Sequence, residues 1–351
     1  MHRDKPKIGV SACLLGDPVR FDGGHKRDPF LVETFGQHVE WVKVCPEVEA
    51  GLGTPRETMR LVLIGRPERE RKAMYESDRV AMVVPKSGAD VSDVMRRYAA
   101  KKVDALADAG LCGFVLKKDS PSCGMERVKV YTTTGPAERA GRGLFADALL
   151  ARLPNLPVEE EGRLGDPRLR DNFVERVFAY QRLRRLFDGG RHALASDGAA
   201  AGRDGGGRPA ARWTVGDLVK FHTAHKLTLM AHSPSAYREL GRLVAGAKQA
   251  NRRSLQAEYE RGFMQALSAI ATPKRQANVL QHMLGYFKAT LDSDARNELL
   301  GLIEEHRIGR IPLVVPITLF KHHVRRLGVE YLAGQVYLDP HPRELSLRNH
   351  V

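Results

Sequence analysis

Two short, mostly apolar runs, Val80-Ala81-Met82-Val83-Val84 and Gly113-Phe114-Val115-Leu116-Lys117, enclose the stretch from Val91 to Ala109. Within it Val94, Tyr98, Val103, Leu106 and Ala107 recur at helical spacing, and Gly110 is a good helix stop. Strand, helix, strand in that order predicts a mostly parallel sheet with helices on its faces. Working outward, Lys7 to Ala12 reads as an earlier strand and Val39 to Val44 as another. The first part of the chain is therefore expected to be an α/β Rossmann-like domain, spanning residues 1–160.

The remainder reads differently. Asp166-Pro167 opens a helix with a capping carboxylate and a proline in its first turn. That helix carries Leu169, Phe173, Val177 and Tyr180 on one side, and 161–187 is expected to connect two domains. In residues 188–212, 14 of 25 positions are Gly or Ala, the composition of a flexible linker. From Thr214, where Asp217 three residues on suggests a capping box, the pattern is helical. An all-α domain is expected over 213–351, with a tail lacking regular structure near Pro340 and Pro342.

The 351 residues hold 56 Lys and Arg against 42 Asp and Glu, a net +14, and the excess is uneven. Residues 1–150 carry net +4, and residues 201–351, with 22 basic and 13 acidic side chains, carry net +9. Such a bias suits a polyanionic partner, nucleic acid above all. No apolar stretch follows the start that would serve as a signal peptide. The longest uncharged apolar run, Ile311 to Phe320, is broken by Pro312 and Pro316 and is roughly half a membrane span. Four cysteines do not make a disulfide scaffold. A cytoplasmic protein is expected.

Cys13 follows the first strand, Cys45 ends the second, and Cys123 lies shortly after the strand 113–117. The carboxyl ends of parallel strands meet along one edge, where ligands bind, so three thiols would face one crevice. Thiolates select zinc or an iron–sulfur cluster; the competing reading is three buried cysteines acting as small hydrophobes. Cys112, at the other end of its strand, reads as a core residue.

The flanks sharpen this. Ser11-Ala12-Cys13-Leu14-Leu15-Gly16 runs on to Arg20, Phe21 and Asp22; Cys45-Pro46-Glu47 is followed by Gly51-Leu52-Gly53-Thr54-Pro55-Arg56; the third motif is Ser120-Pro121-Ser122-Cys123-Gly124. Over residues 7–155 the chain resembles the thiouracil desulfidase (TudS-like) family. That resemblance implies a 4Fe-4S cluster on Cys13, Cys45 and Cys123, with one iron left open for the substrate sulfur. It implies catalytic roles for Glu47 and Ser120, with Glu47 as general base and Ser120 relaying or orienting the proton. Ser11, Arg20, Asp22, Arg56 and Ser122 are expected to touch substrate.

In the helical part, Phe221-His222-Thr223-Ala224-His225-Lys226 places His222, His225 and Lys226 on one helix face. A later helix, 274–291, should bury Val279, Leu280, Met283, Leu284 and Phe287, leaving Arg275, Asn278, His282 and Tyr286 on a neighbouring face. Basic groups interleaved with His and Tyr suit phosphate contact and base stacking, making His222, His225, Lys226, His282 and Tyr286 candidate RNA contacts. Strings such as Asn278-Val279-Leu280 and Ile311-Pro312-Leu313 resemble the YbgA-like helical domain of unknown function, over about 210–350. Fusions of these two domains resemble enzymes that remove sulfur from 4-thiouridine in tRNA, which implies tRNA as partner. Three other readings stay open: a desulfidase of free thiouracil, a non-catalytic RNA-binding or iron-sensing protein, and a three-cysteine zinc hydrolase.

Overall fold

The computed structural model describes residues 5–64, 79–132, 136–188, 213–345 and 347–350. The expected linker lies, beyond Asp188, outside the described residues. The chain divides into two compact units, Met1–Gly165 and Asp166–Val351.

The first unit holds strands β1 (Lys7–Ser11), β2 (Glu40–Val44), β3 (Arg60–Leu63), β4 (Val80–Val83), β5 (Gly113–Leu116), β6 (Val128–Tyr131), β7 (Glu138–Gly141) and β8 (Val158–Glu160). Its helices are α1 (Pro46–Glu49), α2 (Ser92–Asp108) and α3 (Leu144–Arg152). Strands β2-β1-β5-β8 form a wholly parallel sheet. This bears out the α/β expectation, but the strand over Val80–Val83 is elsewhere. β4 belongs to a second sheet, ordered β4-β3-β6-β7, where it runs antiparallel to β3. Helix α2 thus joins strands of two different sheets. Its buried stripe is Met95, Ala99, Val103 and Leu106, whereas Val94 is exposed. The stripe enters one residue later than expected because Met95 seats against Leu61, Val80, Met82 and Val130 of the second sheet.

Two glycines set the spacing around the central strand and the loop after β5. Gly9 pairs with Phe114, and a Cβ there would sit 2.1 Å from that ring. A Cβ on Gly143, at the start of α3, would come within 2.5 Å of the Ser122 carbonyl. Both are close approaches that only glycine permits.

The second unit is all helical: α4 (Pro167–Asp188), α5 (Val215–Ala224), α6 (Lys226–His232), α7 (Pro234–Ala245), α8 (Arg252–Ser268), α9 (Pro273–Leu284), α10 (Ser293–Arg307), α11 (Val314–Leu327) and α12 (Glu330–Ala333). Asp166 caps α4 through its Oδ1, 2.8 Å from the Arg168 amide, and α4 belongs to this unit. Thr214 and Asp217 form the expected capping box. Val279, Leu280, Met283, Leu284 and Phe287 are all buried, in one cluster with Phe320 and Tyr337. The tail is tied down: the Arg348 guanidinium lies 3.4 Å from Glu175 and donates to the Tyr337 carbonyl. Among the described residues no helix is long and apolar enough to cross a membrane.

Candidate active site

The order β2-β1-β5 explains why distant segments meet. β1 is central, and Ser11 stands beside Val44 in register while Val10 stands beside Val115. Chain leaving the carboxyl ends of these three neighbours must converge. Cys13 lies in a 3-10 turn two residues beyond β1, Cys45 is the N-cap of α1 directly after β2, and the Ser120–Gly124 turn follows β5. All three cysteines line one cleft of about 310 Å³ with Ser11, Arg20, Glu47, Arg56, Lys117, Ser120 and Ser122.

Glu47 is held from both sides. Its Oε2 forms an ion pair with the Arg56 guanidinium, whose Nε donates at 2.9 Å, and both side chains are mostly buried. Its Oε1 accepts from Ser122 Oγ at 2.6 Å and lies 3.4 Å from Ser120 Oγ. Arg56 also donates to the carbonyls of Val19 (3.0 Å) and Gly53 (2.8 Å). Expected as a substrate contact, Arg56 spends its fork on Glu47 and on the loop walls.

The two serines are linked, their hydroxyls 2.9 Å apart. Ser120 Oγ accepts from the amides of Ser122 (3.3 Å) and Cys123 (3.1 Å). With its lone pairs so engaged, its proton is directed toward Ser122 or Glu47. Ser122, fully buried, makes the shorter contact with the carboxylate. The hydroxyl nearest the Glu47 carboxylate is therefore Ser122, expected from the sequence as a substrate contact.

Burial raises the Cys13 thiol to about 11, with the neighbouring Cys45 adding to the effect and Lys117 opposing it. Burial likewise pushes Cys45 and Cys123 upward, and the Glu47 charge disfavours both thiolates. Among the described residues no group of three His, Cys, Asp or Glu side chains is placed to hold a single metal ion. A cluster does not need that, since each thiolate ligates its own iron.

Ser11 lines the cleft, but its Oγ accepts from the Lys117 amide at 3.0 Å. Arg20 lines it with a buried Nε that has no hydrogen-bond partner among the described residues. Asp22 is not among the lining residues; it is exposed and turns its Oδ1 to the Gly24 amide, 3.0 Å away. Lys117 went unnoticed in the sequence. It directly follows β5, pairs with Glu161, and its charge favours the Cys13 thiolate. Cys112 is buried with its Sγ 3.8 Å from the Gly110 carbonyl, outside this cleft.

Of the helical candidates, His222 and Lys226 line one groove and the others lie apart from it. His222 and His225 are core side chains: His222 Nδ1 meets Tyr259 Oη at 3.1 Å, and His225 Nδ1 meets the Phe221 carbonyl at 2.8 Å. Burial lowers them to about 4 and about 3, so both are neutral at pH 7. Lys226 lines an open groove with Arg238, Arg242, Lys248 and Tyr237. His282 and Tyr286 are exposed, and the Tyr286 ring stacks on Tyr331 at 4.8 Å.

A parallel-sheet edge that gathers thiols around a clamped carboxylate and two hydroxyls defines a class, the thiol-lined α/β enzyme. The family model described as 2-thiouracil desulfurase matches residues 8–161, and that of a protein of unknown function, DUF1722, matches 226–342. The uncharacterized protein YbgA of Escherichia coli K12 is 33% identical over 183 residues, 52% of this chain and 95% of its own length. The uncharacterized protein YbbK of Bacillus subtilis 168 is 30% identical over 159 residues, 45% of this chain and 98% of its own. A solved structure titled as a [4Fe-4S]-dependent thiouracil desulfidase, TudS, is 33% identical, covers 46% of this chain and 94% of its own, and superposes with a TM-score of 0.35. The chain belongs to the 2-thiouracil desulfurase family in its first unit, joined to a YbgA-like DUF1722 helical domain in its second.

Proposed function

We propose that this protein removes sulfur from 4-thiouridine in tRNA, giving uridine and sulfide, with a 4Fe-4S cluster held by Cys13, Cys45 and Cys123. The observation that carries the reading is the meeting of three soft donors with the Glu47–Ser122 pair in one cleft. Bound there, the cluster would supply a soft Lewis acid suited to a thiocarbonyl sulfur.

The chain's own residues supply the rest. Water adds at the carbon and sulfide departs, so C=S becomes C=O with no net redox change. Arg56 anchors Oε2 of Glu47, leaving Oε1 to accept the water proton, directly or through the Ser122 hydroxyl. Ser120, fixed by two amides, orients that hydroxyl. Arg20 Nε, which makes no hydrogen bond among the described residues and lies 3.8 Å from Asp22 Oδ1, is a donor to the nucleobase. The four cations of the Lys226–Lys248 groove and the net +9 of residues 201–351 support a polyanionic substrate. A base in folded tRNA must leave its stack to enter such a cleft. A cytoplasmic location agrees with that substrate.

Protein purified without oxygen tests this. A brown protein that bleaches the 4-thiouridine band of thiolated tRNA and releases sulfide is the expected result. A brown protein inert on tRNA but active on free thiouracil, the substrate in the family's description, would replace the tRNA reading. A colourless, iron-free protein would overturn the cluster.

A further inference from the structure

The outward face of the second sheet borders the cleft and has no role in the chemistry above. We propose that it is a landing strip for the sugar–phosphate strand flanking the reacting base, a placement that rests on the polynucleotide reading. Strands β3, β6 and β7 are adjacent there. Their alternate residues Leu61, Leu63, Val128 and Val130 point into the core, so Arg60, Lys129 and Tyr131 turn the other way. Lys129 stands opposite Arg139 in register. Together these side chains line a depression of about 260 Å³, and Met59, Asp119 and Pro121 line both it and the cleft. A strand leaving the cleft past those three residues meets three cations and a tyrosine ring.

The groups are available. Lys129 and Arg60 are exposed and make no ion pair among the described residues. The Arg60 guanidinium lies over the Tyr131 ring, 4.7 Å from its centroid, which holds a flat aromatic surface in place. Arg139 pairs with Asp119 at 2.9 Å, but both side chains are about half exposed, and such pairs exchange readily for a phosphate. Cations beside an aromatic platform are the usual means of holding single-stranded nucleic acid. A free base would reach only the cleft, so this face discriminates polynucleotide from nucleobase within the first unit itself.

The test uses the full-length, iron-loaded protein and its triple variant Arg60→Gln, Lys129→Gln, Arg139→Gln. Binding of fluorescent tRNA is followed from low to high salt, and turnover is followed on thiolated tRNA and on 4-thiouridine nucleoside. Affinity for tRNA should fall at least tenfold at low salt, and the log–log salt slope should flatten by about two to three. Nucleoside turnover should be unchanged. The charge-reversed triple variant to Glu should lose more in the same direction, with thermal melting confirming that it is folded. Unchanged tRNA affinity and slope, or equal loss on nucleoside and tRNA, would overturn the inference. A parent protein inert on thiolated tRNA would instead refute the tRNA substrate, while the binding comparison would still decide the face.

Discussion

The two units treat their titratable side chains in opposite ways. In the first, Cys13, Cys45, Cys123, Glu47 and Arg20 converge on an open cleft. In the second, Glu175, His222, His225, His232 and Arg182 are mostly buried among the helices, Glu175 and His232 beside one small cleft and His222 beside another. There burial holds His222, His225 and the Arg182 guanidinium below their ordinary values, while Arg348 and His232 hold Glu175 low. Parallel strands release their chain ends together at one edge, so polar residues beyond them share space with solvent. A helical bundle has no such edge, and its polar groups lie buried between helices, some of them, such as Arg182 Nη2 and the His323 ring, without a hydrogen-bond partner among the described residues. A histidine in a helix is thus weaker evidence of chemistry than a cysteine after a strand.

That contrast can be broken at several points. Replacing Cys13, Cys45 or Cys123 by Ala should abolish iron content and turnover. Cys112→Ala should stay brown and active, losing about 1 kcal/mol as a small core truncation. Iron assay and visible absorbance separate the two, and a colourless Cys112 variant would move the cluster. Glu47→Gln should retain iron but lower kcat by about 10²- to 10⁴-fold; full activity would remove Glu47 from the chemistry. Arg56→Lys keeps the charge but not the fork. It should lower kcat about tenfold with a smaller effect on KM, and a change confined to KM would return Arg56 to substrate contact.

The second unit should respond to pH instead. The folded state holds His222 and His225 far below the unfolded value near 6.5, so the unfolded chain binds protons first as pH falls. Stability is then full above about pH 6.5 and declines toward pH 4, by up to about 1.4 kcal/mol per pH unit for each histidine. Denaturation followed through the helical signal at pH 7.5 and 5 would show it, and a flat profile would mean the rings are hydrated. The smallest effect is expected at Tyr286, whose replacement by Ala should cost about 1 kcal/mol or less through the lost Tyr331 stack. A several-fold rise in KM for tRNA would mark it as an RNA contact.

Much of the first unit was legible because its signals are local. Val-rich runs and the positions of Cys13, Cys45 and Cys123 relative to them sufficed to gather the cleft. β3 and β6 were visible in principle, with Leu61 and Leu63, and Val128 and Val130, alternating with outward residues. β7 was not: Glu138-Arg139-Ala140-Gly141 carries no apolar pattern and is a strand because β6 offers it partners. The Glu47–Arg56 clamp lay within nine residues of sequence, yet nothing local says that the loop after Glu47 folds back.

What the sequence determined by itself is the class of each unit and the membership of the thiol cleft, because periodicity and strand ends act over a few residues. Tertiary structure alone decided that β4 leaves the first sheet, that Ser122 stands nearest Glu47, and that His222 and His225 are buried. Those outcomes turn on which surfaces meet across the fold. Contact and burial are properties of the assembled chain, and no window of sequence contains them.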